Sequence, residues 1–323
     1  MTSNGTPPPI GAPSHPPTGA GARWPRRRML GASLGGLAAV IAAGAGGLEL
    51  IARGVLPGQQ FLSHLDGACS VDSPPLRLFH PGPSVPGSFR SRARRQHVRC
   101  TIAYPPGHRP GDALPLIVGL HAFGADHARL LTHLTMAQAL ALRVNGHPLP
   151  PMAMAAADGG NGYWNPHPGD SPMAMVIDEF IPMCQRLGLG RAPRSIGTLG
   201  ISMGGYGAIL LAEKFPHLIT AVAAIGPAIW TSYAQARSVN PGAYTSAAAF
   251  AAADAVTHAH ALAPVAVRVA SGLSDPFHQG VQALAKILPP GAEVEISHGC
   301  HSAPFFVSQE PPSLAFLGRH ITP

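Results

Sequence analysis

The sequence predicts an α/β domain: one mostly parallel sheet covered on both faces, with a small helical insertion. Three observations carry this. Short continuous apolar runs recur between residues 115 and 297, the pattern of strands buried on both faces. Between them lie stretches whose apolar residues recur at three- and four-residue steps. One apolar run, Ser195 to Ile201, leads through Gly200-Ile201-Ser202-Met203-Gly204 into a helical stretch, Gly205 to Phe215.

The first sixty residues do not belong to that domain. Residues 1–22 are Pro, Gly, Ser and Thr with almost no large apolar side chain, so they cannot build a core and are predicted to be disordered. Residues 23–56 contain Arg26-Arg27-Arg28-Met29-Leu30 and an Ala/Gly-rich apolar run to Leu48, which resembles a twin-arginine export signal. A membrane anchor is the competing expectation, since Met29 to Leu48 is long enough to span a bilayer. Both place the domain, residues 66–323, outside the cytoplasm, secreted or anchored by the N-terminal segment. Ala43-Gly44-Ala45 offers a small-residue cleavage site, and cleaved and anchored forms both stay open.

The net charge of +7 comes largely from the signal arginines and from Arg90, Arg92, Arg94, Arg95 and Arg99. The second cluster alternates like the solvated face of a strand or hairpin. No aromatic interleaving or nucleic-acid fold accompanies it, so no nucleic-acid partner is expected. His97 to Tyr104 reads as an early antiparallel strand, with Cys100 on its apolar face. Pro115 to Leu120 is a buried strand, followed by a helix over His127 to Arg143. Met152 to Ala157 is the next strand, ending at Asp158-Gly159-Gly160. Met173 to Leu187 is helical, with Cys184 on its apolar side and a kink or break at Pro182. Ile219 to Ile225, Ala266 to Ser271 and Glu293 to Ser297 supply three further strands. Trp230 to Leu262 is the insertion, with an Ala-rich helix near Ser246 to Val256.

The strand–turn–helix around Ser202 is the context of a nucleophile elbow. The serine must sit in a strained turn, and side chains at Gly200 and Gly204 would collide with the adjoining strand and helix. G-x-S-x-G by itself also arises as an ordinary glycine-rich turn, so the motif points to catalysis only with partners. A serine hydroxyl needs a base to take its proton and an acid to orient that base. The chain order for this arrangement is serine, acid, histidine. Among the later acids, Asp275 alone follows directly on the end of a buried strand. In isolation it would read as an Asp-Pro turn. His298-Gly299-Cys300-His301 lies just past the last strand; His301 is the expected base and His298 the alternative. Backbone N–H groups of Met203 and Phe123 are the expected oxyanion donors. The competing reading of the Phe123 loop is a plain turn capped by Asp126.

With these residues in view, the chain resembles the antigen 85/esterase D-like branch of the α/β-hydrolase superfamily, a group of serine esterases and acyltransferases. The resemblance rests on His121-Ala122-Phe123, Asp158-Gly159-Gly160 with Tyr163-Trp164, Gly200 to Gly207, Ser274-Asp275-Pro276-Phe277 and Gly299-Cys300-His301. It implies the α/β-hydrolase fold and ester chemistry through an acyl-serine, with Ser202, Asp275 and His301 catalytic and Asp158 and Trp164 binding substrate. Hydrolysis of an ester substrate, with a sugar- or lipid-linked portion, is the leading expectation. Acyl transfer, or an inactive cell-wall binding protein on the same fold, are the alternatives. No cofactor or metal is expected. An exported chain permits disulfides, and Cys69 with Cys300, the pair in loop-like surroundings, is the favoured bridge.

Overall fold

A computed structural model describes residues 69–71, 80–133 and 136–322. The expectations of a disordered segment at 1–22 and of a signal or anchor at 23–56 lie outside the described residues. No helix among the described residues is long and apolar enough to cross a membrane.

Strands β1 (Ser84–Ser91) and β2 (Gln96–Ala103) form a hairpin, followed by β3 (Leu116–Leu120) and helix α1 (Met136–Ala139). A small hairpin, β4 (Arg143–Val144) and β5 (His147–Pro148), precedes β6 (Ala153–Ala157), α2 (Pro172–Ala174) and α3 (Ile181–Arg186). Then come β7 (Ile196–Ile201), α4 (Met203–Lys214), β8 (Ala221–Ile225), α5 (Tyr233–Val239) and α6 (Ala247–Ala251). The chain closes with β9 (Ala266–Ser274), α7 (His278–Ala285), β10 (Glu293–Cys300) and α8 (Ala303–Ile321).

Eight of these strands make one sheet in the order β1-β2-β6-β3-β7-β8-β9-β10. Only the β1–β2 and β2–β6 pairs are antiparallel; every pairing from β6 to β10 is parallel. The central strands β3, β6, β7 and β8 are buried along their whole length, which is why they read as unbroken apolar runs. Apolar cores form on both faces, one including Trp164 and Tyr206, the other including Phe305 and Phe316. Cys100 and Cys184 are both buried, and burial pushes their thiols up to about 11 and about 12. They remain unreactive thiols at neutral pH.

Three expectations need correction. The long helix over His127 to Arg143 is instead a π-helical turn at Arg129–His133, the short α1, and then the β4–β5 hairpin. The reason is Asn145-Gly146, both at positive φ (52° and 80°), the two-residue turn that closes a hairpin rather than continuing a helix. Met173–Leu187 is helical as expected, running through α2, a π-helical stretch at Met175–Phe180 and α3. The wider turn just before Pro182 is the break expected at that proline. The Ala-rich helix covers only Ala247–Ala251, because the Asp254 carboxylate accepts from Val256 N–H and Thr257 Oγ and turns the chain away. Finally, Arg94 does not belong to the solvated basic edge. It is buried and holds Asp170 through two parallel bonds of 2.7 and 2.8 Å.

Candidate active site

β7 is a central strand, and its last residue is followed directly by Ser202. The serine backbone sits at φ 58°, ψ −119°, in a region that side chains rarely occupy. Three backbone bonds hold it there. Ser202 N–H donates to Ile225 O at 2.9 Å, and Ser202 O accepts from Tyr206 and Ala228 N–H, each at 3.0 Å. The flanking glycines are steric requirements. A Cβ on Gly200 would overlap Gly204 O, and one on Gly204 would overlap Leu120 O, backbone atoms that can shift only at a cost. A Cβ on Gly205 would stand 3.1 Å from Pro227 Cα, a tight contact but not an overlap.

Ser202 Oγ lies 2.8 Å from His301 Nε2, and His301 Nδ1 lies 2.7 Å from Asp275 Oδ2. The carboxylate can only accept at Nδ1, so the ring proton resides there and Nε2 is left to accept from the serine hydroxyl. Asp275 follows the end of β9; its side chain is wholly buried, and its other oxygen accepts from Phe277 N–H at 2.8 Å. Phe277 and Phe306 pack edge-on against the His301 ring. His298 stays exposed on β10, away from this chain of bonds.

Gly226, at the end of β8, went unread in the sequence. It has φ +52°, and a Cβ there would stand 2.8 Å from the Phe306 ring and 3.3 Å from Asp275 Oδ2. The Ile225-Gly226-Pro227 punctuation after a buried strand was the available signal.

Met203 opens α4, so its N–H is one of the first-turn donors that no helical carbonyl can satisfy. Phe123 lies in the loop after β3 with its side chain 54% exposed. Asp126 Oδ1 does cap the following turn, accepting from Arg129 N–H at 2.8 Å. The loop is more than a capped turn, however. His121 is buried, and its Nε2 accepts from Gly159 N–H at 2.8 Å while Nδ1 donates to Ala122 O at 2.9 Å. Burial pulls its basicity below the usual imidazole range, against the pull of the Ala122 carbonyl. Asn161 Oδ1 accepts from Gly124 N–H at 2.8 Å.

The assignment of Asp158 and Trp164 to substrate contact is corrected by their surroundings. Asp158 Oδ1 accepts from His127 N–H at 3.0 Å and from its ring at 2.6 Å, and Oδ2 pairs with Arg99 at 3.1 Å. Burial alone would raise this carboxyl, but the His127 and Arg99 bonds bring it below its ordinary value. Trp164 is 1% exposed, its ring wedged against Gly159 and Gly207 with Nε1 donating to His121 O at 3.4 Å. Both residues brace the Phe123 loop from behind. Asp126, His127 and Asp158 also bring potential ligand atoms within 4.8 Å of one another, but the Arg99 guanidinium already bridges the two carboxylates.

A cleft of about 350 Å³ opens beside Phe123, lined by Asn161, His167, Asp170 and Asn240 among others. The Asn240 Nδ2 group is buried without a hydrogen-bond partner.

Residues 175–289 match the family model described as "Putative esterase". No curated protein matches the sequence. Among solved structures, the chain is similar to a ferulic acid esterase at TM-score 0.65 and 16% identity, covering 74% of this chain and 98% of that one. It is similar to an S-formylglutathione hydrolase from Agrobacterium tumefaciens at TM-score 0.59 and 16% identity, over 76% and 97% of the two chains. Mycobacterium tuberculosis MPT51 (FbpC1) aligns at TM-score 0.56 and 17% identity, over 75% and 100%. The matched stretch carries the elbow and Asp275, and the solved structures share this chain's fold, an eight-stranded α/β-hydrolase sheet.

Proposed function

We propose that the protein is an exported esterase that works through an acyl-serine intermediate, with Ser202 as nucleophile, His301 as base and Asp275 orienting the base. The observation that supports this is the continuous path from Ser202 Oγ through both ring nitrogens to Asp275 Oδ2, at 2.8 and 2.7 Å. As Oγ attacks the ester carbonyl, its proton passes to Nε2, and the buried carboxylate stabilises the imidazolium that forms. The carbonyl oxygen becomes an oxyanion facing the N–H groups of Met203 and Phe123. His301 then returns the proton to the departing alcohol, and water repeats the sequence to release the acid.

A sugar- or lipid-linked ester suits the cleft beside Phe123, where Asn161, His167 and Asp170 offer polar edges. Export is supported by the twin arginine at Arg26 and Arg27 and by the Cys69–Cys300 disulfide, a bond of oxidising compartments. The test is Ser202→Ala in the full chain, assayed on nitrophenyl esters of increasing acyl length with and without sugar acceptors. Loss of about 10⁶ in kcat, the usual cost of removing such a serine, and loss of fluorophosphonate labelling are expected. Label persisting on the variant would move the nucleophile elsewhere. Acylated sugar accumulating faster than free acid would make acyl transfer the activity.

A further inference from the structure

We propose that the Cys69–Cys300 disulfide is a positioning clamp for His301, so that activity requires this bond to be closed. The proposal rests on the reading of His301 as the base.

Among the described residues β10 is the edge of the sheet and pairs with β9 alone, so its end is held from one side. That end is also irregular. Ser297 pairs with Gly272 but Cys300 pairs with Ser274, so one extra residue is accommodated on the β10 side. Gly299 lies within this bulge at φ +143°. The ladder therefore slips immediately before the residue whose ring must meet Ser202 Oγ at 2.8 Å. The register further places Cys300 opposite Ser274, and the next residue on each strand is His301 or Asp275.

The disulfide supplies an attachment where the ladder is weakest. It joins Cys300 to Cys69 across 231 residues of sequence, with both cysteines buried. Phe277 and Phe306 hold the ring itself, but the backbone that carries it hangs from Cys300. A shift of about 1 Å in a reacting group can cost on the order of a hundredfold in rate. Closing the bond removes two protons and two electrons from the thiols. These pass to a disulfide oxidant such as oxidised glutathione, which leaves as two thiols. Cys100 and Cys184 are buried as free thiols.

The experiment compares full-chain wild type, oxidised with glutathione, with Cys69→Ser, which opens the bond and leaves Cys300 beside His301 intact. For a short-chain nitrophenyl ester the variant is expected to lose roughly tenfold to a hundredfold in kcat with KM nearly unchanged. Fluorophosphonate labelling of Ser202 should slow by the same factor at a temperature where circular dichroism shows it folded. A variant with a lowered Tm but unchanged kcat and labelling rate would overturn the proposal, since the bond would then serve stability alone. If Cys69→Ser does not fold, the wild type decides. Reduction by a phosphine in dilute urea, followed as a mass gain of two hydrogens, should slow labelling, and reoxidation should restore it. Reduced protein labelled at the full rate would equally overturn the clamp. Oxidised wild type that takes no label at all would instead sink the esterase reading on which the clamp depends.

Discussion

The two ends of the serine–histidine contact are built in different ways. Ser202 leaves a central strand with neighbours on both sides, and its position is dictated by backbone: three main-chain bonds and glycines whose missing Cβ atoms would overlap carbonyl oxygens. His301 follows an edge strand with a bulge, and its position is dictated by side chains: Asp275, Phe277, Phe306 and the disulfide one residue before it. Backbone placement tolerates almost no substitution within the turn but owes little to distant residues. Side-chain placement tolerates drift in the chain only while each distant contact persists.

The sharpest way to break this comparison is at the base. His301→Ala is expected to lose about as much kcat as Ser202→Ala, on the order of 10⁶, while exposed His298→Ala keeps most of its activity. Steady-state kinetics on the same nitrophenyl ester decide the matter, and the opposite ranking of the two histidines would transfer the role to His298. A smaller effect is expected at the elbow from Gly204→Ala. The new Cβ would press on Leu120 O and stand 2.7 Å from His121 O, at the mouth of the Phe123 loop. Displacing that loop should cost roughly 10²–10³ in kcat, the loss of one oxyanion donor. An unchanged kcat in a folded Gly204→Ala protein would show that the elbow is less rigid than its contacts imply.

The smallest effect concerns stability at the far end of the elbow helix. Glu213 is 6% exposed, neither carboxylate oxygen has a partner, and burial pushes the carboxyl up to about 9. The unfolded chain loses this proton near the ordinary carboxylate value of about 4.3, the folded chain only near 9. Between those values the folded state binds one proton more, so stability falls as pH rises through the window and then levels off. Glu213→Gln, neutral throughout, should remove that slope. Its Tm advantage over wild type should be negligible near pH 4 and grow steadily toward pH 9. Parallel melting profiles at the two pH values would mean that Glu213 finds a partner in solution.

Much of the elbow was legible because its constraints are local. Gly200, Ser202 and Gly204 stand within one turn, and a buried strand running into a helix announces itself by periodicity. Asp275 and His301 were legible through chain order, each just beyond the end of a strand. The misreadings fell where contacts between distant segments decide. Asp158 and Trp164 stand next to the right loop in the right motif, yet His127, Arg99, Gly159 and Gly207 turn them into its support. Arg94 follows the pattern of its exposed neighbours but finds Asp170, 76 residues away. Gly226 makes room for Asp275 and Phe306, neither of which is near it in the chain.

By itself, then, the sequence determined the layered α/β sheet, the strained serine turn and the order of serine, acid and histidine. These depend on side-chain period and on steric exclusion among residues a few positions apart. Only the tertiary structure decided that His301 rather than His298 meets the serine, and that Cys69 lies against Cys300. It also decided that the Phe123 loop is braced from behind by a buried tryptophan and a paired aspartate. The choice of histidine depends on strand register and on a bulge in the edge strand. Shifting a strand by one residue moves every side chain to the opposite face, and nothing in the local pattern of β10 reveals where that slip occurs.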